Sequence, residues 1–155
     1  MSQQLNFAQY FTRKILLRFV YFYSTCSVVS NYCGGIVFLS GDSMLPTIED
    51  GDVVITKTFR PRKHGLNKGE IYCVKSPVDS GVLLCKRVAL LEHEKVELPL
   101  NMFPSARVSS GHCFLLGDNS EASTDSRHFG PVPVGLVHSK VLLRVWPPNR
   151  FGWLN

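Results

Sequence analysis

The feature that most constrains this chain is the stretch from residue 19 to residue 41, 23 residues without a charge in a sequence of 155. It contains Phe19-Val20-Tyr21-Phe22-Tyr23 and Ile36-Val37-Phe38-Leu39. A helix of that length can cross a hydrocarbon core of about 30 Å. Ser24, Thr25, Ser27, Ser30, Asn31, Gly34 and Gly35 dilute its hydrophobicity. A cleaved secretory signal or a buried core helix would normally have a shorter apolar region, and no small-x-small cleavage site stands out. The expectation is a basic tail over residues 1–18, a transmembrane helix over 19–40 and one β domain over 41–155. Arg13, Lys14 and Arg18 would keep the N-terminus on the side of synthesis or import, so the folded domain would emerge on the other.

Roughly 115 residues then remain for folding, enough for one core and one active site. Short apolar or alternating runs recur in them: Asp52-Val53-Val54-Ile55-Thr56, Ile71-Tyr72-Cys73-Val74-Lys75, residues 82–91, Cys113-Phe114-Leu115-Leu116 and residues 137–145. Turn chemistry separates them at Asp50-Gly51, Lys68-Gly69, Ser80-Gly81, Gly117-Asp118-Asn119 and Gly130-Pro131. No long amphipathic helix competes, so the domain is predicted to be mostly antiparallel β.

The net charge of +5 raises the question of nucleic acid. The charge lies in the membrane flank and in a second stretch, Lys57, Arg60, Arg62, Lys63 and Lys68. Neither is interleaved with aromatics suited to base stacking, so no nucleic-acid partner is expected. The five cysteines are odd in number and form no Cys-x-x-Cys pair, and the five histidines show no H-E-x-x-H spacing. Neither a disulfide framework nor a metal or other cofactor is expected.

Candidate chemistry centres on Gly41-Asp42-Ser43-Met44-Leu45-Pro46-Thr47. Ser43 reads either as a turn residue or as a nucleophile, and a serine nucleophile needs a base. Lys86 lies in the apolar run 82–91, where desolvation would favour its neutral amine; alternatively it snorkels to water. Asp125 and Arg127 stand two apart and would pair if the segment is extended. Ser123 would project on the same side and could offer a hydroxyl to the lysine amine. A polar surface loop with an Asx-turn at Asp118-Asn119 is the plainer account of that segment.

Taken together, four boxes resemble the type I signal peptidase family: S-G-D-S-M-x-P-T at 40–47, G-D-V-V at 51–54, K-R-V at 86–88, and G-D-N-x-x-x-S-x-D-S-R-x-x-G-x-V-P at 117–133. The resemblance covers nearly all of residues 36–145. It implies a membrane-anchored serine endopeptidase that works through an acyl-enzyme. Ser43 would be nucleophile, Lys86 general base, Ser123 the hydroxyl orienting it, and Asp125 and Arg127 a supporting pair. The Ser43 backbone N–H would be the main oxyanion donor, while Ser126 and Asp118 fall at structural positions.

Lys75-Ser76-Pro77, Gly130-Pro131-Val132-Pro133 and Trp146-Pro147-Pro148 are similar to the branch of the family found in the mitochondrial inner membrane. The intact Asn119 and Ser123-x-Asp125-Ser126-Arg127 string favours the first of that branch's two subunit types. The implied partners are precursor polypeptides with cleavable sorting segments, the membrane and a second protease subunit in a hetero-oligomer. The implied topology is a single span with the catalytic domain facing the intermembrane space. A bacterial-type signal peptidase or the second subunit type is the nearest alternative. A self-cleaving transcriptional repressor with a Ser-Lys pair, or a non-catalytic partner subunit, would be of another class.

Two positions depart from the family pattern. His93-Glu94 replaces the usual Gly-Asp turn after K-R-V, and Gly41 replaces a serine whose hydroxyl often assists the oxyanion hole.

Overall fold

The computed structural model describes residues 2–60, 65–79, 81–96 and 107–154, with side chains outside 2–11 and 28–33. Arg62 and Lys63 of the second basic stretch and Ser80 of the Ser80-Gly81 turn lie outside the described residues. The chain divides into two units at Cys33/Gly34.

The first unit is one helix, α1, Ser2–Cys33. The expected 1–18 tail is thus helical from Ser2, which neither glycine nor proline prevents. Among the described residues, no helix is long and apolar enough to cross a membrane. From Phe19 to its last residue α1 rises only about 22 Å. The uncharged stretch does not stay helical to residue 40, because Ile36–Phe38 forms strand β1 and pairs with β2, Val53–Thr58. Gly34 and Gly35 are poor helix formers. Gly35 is then held to β2, its carbonyl accepting from Thr56 N–H at 2.8 Å and Thr56 Oγ1 at 3.1 Å. Past that point Ile, Val and Phe suit a pleated strand.

The second unit is a mostly antiparallel sheet. After β1 and β2 come β3 (Ile71–Lys75), β4 (Leu83–Leu90), β5 (His112–Leu116), β6 (Val132–Pro133), β7 (Val137–Trp146) and β8 (Gly152–Trp153). Their order is β1-β2-β7-β3-β4-β5-β6, with β8 also on β7. A four-residue helix, α2, Ser126–Phe129, lies between β5 and β6.

β3 shows why the sheet needs two apolar faces. Side chains alternate along a strand. Tyr72 and Val74 enter one cluster with Phe59, Val88, Leu115 and Val137. Ile71 and Cys73 enter another with Met44, Ile48, Val54 and Val141. A strand buried on both faces reads as a continuous apolar run, as Ile71-Tyr72-Cys73-Val74 does. β4 is covered on both sides over only part of its length. β3 pairs with it from Leu83 to Arg87, whereas β5 pairs only from Arg87 onward. Residues 83–86 therefore form an edge, and the candidate site opens there.

Candidate active site

The Ser43 loop joins β1 to β2 and is fixed from below. Leu39 N–H donates to Asp52 O at 2.9 Å and Gly51 N–H to Leu39 O at 3.0 Å, closing the loop at its base. Met44 and Ile48 bury their side chains in the second core cluster. Seating Met44 in the core leaves its neighbour Ser43 at the rim.

The 117–119 segment grips the same loop from the side. Asn119 N–H donates to Ser43 O at 3.1 Å, and Asn119 Nδ2 to Asp42 O at 3.1 Å. Close approach explains the glycine before them: a Cβ on Gly117 would stand 2.2 Å from Ser123 Oγ and 2.4 Å from Ser43 O. Thr47 Oγ1 donates to Asp118 Oδ2 at 2.6 Å, and Arg87 holds both oxygens of Asp118.

Lys86 is 2 % exposed and donates from Nζ to Ser123 Oγ at 2.9 Å. Ser123 Oγ donates in turn to Asp125 Oδ2 at 2.8 Å. Arg127 makes a two-pronged pair with Asp125, and Gly117 N–H adds a further bond at 2.9 Å. Burial would raise the Asp125 carboxyl, but the Arg127, Gly117 and Ser123 hydrogen bonds overcome it and hold the group down to about 2. An ionised Asp125 fixes the direction of the chain. Its carboxylate accepts a hydrogen bond from the Ser123 hydroxyl, so Ser123 oxygen can only accept from Lys86.

Burial lowers the Lys86 pKa, opposed by the negative charge of Asp125 and aided by Arg127. In the neutral amine one N–H is directed at Ser123, and the lone pair is left to point elsewhere. Ser43 and Lys86 share the wall of one cavity of about 440 Å³. Val37, Leu39, Met44, Leu84 and Cys85 make much of the rest of its lining apolar. Such a cavity can admit an apolar side chain of an extended peptide.

The structure thus brings Lys86, Ser123, Asp125 and Arg127 into one hydrogen-bonded chain and sets Ser43 on the same cavity. The reason Asp125 and Arg127 meet differs from the expected extended segment. Asp125 is the N-cap of α2, accepting from Arg127 N–H at 3.1 Å. Ser126 is buried and its hydroxyl accepts from Leu115 N–H at 3.0 Å, tying α2 to β5.

Sequence reasoning missed the bridge from Arg87 through Asp118 to Thr47. Its signal was present, since all three lie inside the quoted boxes. At His93 the turn expected of Gly-Asp survives with a side chain in a left-handed conformation, φ 68°. Glu94 supplies the acid, its carboxylate accepting from Leu91 N–H at 3.0 Å and from Lys68. Among the described residues no group of three or more His, Cys, Asp or Glu side chains could hold a metal.

The profile described as "Signal peptidase, peptidase S26" matches residues 12–103 and 92–146. The chain is 41% identical over 126 residues to the Mus musculus protein named mitochondrial inner membrane protease subunit 1, covering 79% of this chain and 76% of the relative. It is 41% identical over 133 residues to the Arabidopsis thaliana mitochondrial ATP-independent inner membrane protease subunit 1a, covering 82% and 79%. Identity to the Danio rerio mitochondrial inner membrane protease subunit 2 is 34% over 118 residues, covering 73% and 64%.

Proposed function

Peptidase S26, the signal peptidase family, is the family to which this chain belongs, and on that premise we propose a serine endopeptidase of the mitochondrial inner membrane that removes sorting segments from precursor proteins. One observation carries the chemistry. A buried lysine, held by Ser123 and Asp125, lines the same cavity as a serine set on a braced loop.

In the mechanism, neutral Lys86 takes the Ser43 proton as Oγ attacks the scissile carbonyl. The Ser43 N–H stabilises the oxyanion. The lysinium protonates the leaving amine, and water activated by Lys86 then hydrolyses the ester. Ser123 keeps the amine aimed, while Asp125 and Arg127 hold Ser123. The substrate backbone docks as an added strand on the edge at residues 83–86.

The relatives' names support the compartment and a complex of two kinds of subunit, the Mus musculus subunit 1 being 41% identical to this chain and the Danio rerio subunit 2 34%. α1 is the anchor in this reading. Ile15, Leu16, Phe19, Val20 and Phe22 are exposed on it, and Arg18 can reach the lipid–water boundary through its long stem. The catalytic domain would face the intermembrane space.

Ser43→Ala and Lys86→Ala are each expected to abolish precursor cleavage while the chain still accumulates and assembles in membranes. Lys86→Arg should fail as well, because a guanidinium does not deprotonate. Full processing by any one of these purified variants would exclude the dyad.

A further inference from the structure

Cys73 and Cys85 take no part in that mechanism, yet both line the cavity that holds Ser43 and Lys86. They are direct partners across β3 and β4. Directly opposed residues of antiparallel strands project to the same face, with Cα atoms roughly 4.5–5.5 Å apart. That lies inside the span of roughly 4.4–6.8 Å that a disulfide bridges. Both thiols are free, Cys73 buried and Cys85 partly exposed to the cavity.

A third residue continues the row, since Ser139 on β7 is opposite Cys73. Its hydroxyl is buried and, among the described residues, has no hydrogen-bond partner. The neighbouring Cys85 lowers the Cys73 thiol against the effect of burial, whereas Cys85, next to Cys73 and desolvated, is pushed well up. The more ionisable sulfur of the pair is therefore the inner one, and the more accessible sulfur is the outer one.

We propose that Cys85 and Cys73 are a thiol–disulfide exchange site in the floor of the active-site cavity, taking low-molecular-weight disulfides of the glutathione type. The accessible Cys85 sulfur attacks one sulfur of the small disulfide, its proton passing to the thiolate that is expelled. A mixed disulfide forms on Cys85. Cys73 thiolate attacks the Cys85 sulfur, forming the Cys73–Cys85 bond and expelling the second small thiolate. The two protons lost by the cysteines go to the two released thiolates, so two protein thiols are oxidised and one small disulfide is reduced to two thiols.

Closure draws the sulfurs together to about 2.05 Å. Cys73 packs in the cluster that seats Met44, next to Ser43, and Cys85 precedes Lys86. Oxidation therefore disturbs both walls of the cavity at once.

The effect on cleavage rests on the peptidase reading above; formation of the bond does not. The full-length protein in membranes is treated with oxidised glutathione, then with dithiothreitol. Linked peptides are read by mass spectrometry and precursor cleavage is measured on the same samples. A Cys73–Cys85 peptide should appear, cleavage should fall by about tenfold or more, and both should reverse on reduction. In Cys85→Ala, compared with its own reduced state, the oxidised-to-reduced ratio should stay near unity, whereas Cys73→Ala should stop at the glutathione mixed disulfide on Cys85, read by its added mass. Absence of the linked peptide in wild type overturns the proposal. A linked peptide with unchanged cleavage, or an equal fall in Cys85→Ala, overturns its link to activity. Reduced wild type that cleaves no precursor refutes the peptidase reading instead, while the peptide still decides the thiol pair.

Discussion

Asp125 is the residue on which the candidate site turns, because one carboxylate caps α2, pairs with Arg127 and accepts a hydrogen bond from the Ser123 hydroxyl. Its folded pKa, about 2, is below the ordinary value near 4, so it stabilises the fold most above about pH 4. That contribution is lost as pH falls towards about 2, and amounts to roughly 2 kcal/mol. Asp125→Asn should flatten this acid limb in thermal unfolding and lower stability at neutral pH by about 3 kcal/mol, since it leaves Arg127 without its counter-charge. Lys86 works in the opposite range. Its pKa is lowered by burial, so kcat/KM should rise with pH through a value below the ordinary lysine value of about 10.4. A rise centred at or above that value would argue against Lys86 as the base.

At the scale of elements, the long strands were legible and the short ones were not. β2, β3, β4, β5 and β7 each carry enough alternating or continuous apolar residues to be read within a residue or two. β6 and β8 have two residues each, too few for any period, and β1 was hidden inside the uncharged stretch. The grouping of Lys86 with the 123–127 string was legible from residue type and order, but the capping geometry at Asp125 was not, because pairing across two positions suits a strand as well as an N-cap. Two turns give tests at this scale. His93 bears a side chain at φ 68°, so His93→Gly should raise stability by up to about 1 kcal/mol in denaturant unfolding. Gly41 has φ +94° with open space around it, and its N–H donates to Asp50 at 2.8 Å. Gly41→Ser has room for the hydroxyl that other family members carry but strains the backbone by about 1–2 kcal/mol. It should therefore lower stability without raising kcat.

For the whole molecule, α1 carries cations at Arg13, Lys14 and Arg18 ahead of its aromatic stretch. If α1 anchors the protein, it should remain in the pellet after carbonate extraction, and replacing residues 19–23 by Ser or Gln should release it. Retention of that variant without a partner subunit would remove α1 from the anchoring role. The sheet carries a different consequence. Arg144 donates to Thr47 O across 97 positions of sequence, and Arg150 reaches Asp52 across 98. The loop bearing Ser43 is thus buttressed by β7 and the turn after it, and such long-range contacts form late. Until β7 and the turn after it have folded, the Ser43 loop lacks these ties, so the candidate site is complete only when both ends of the sheet have come together.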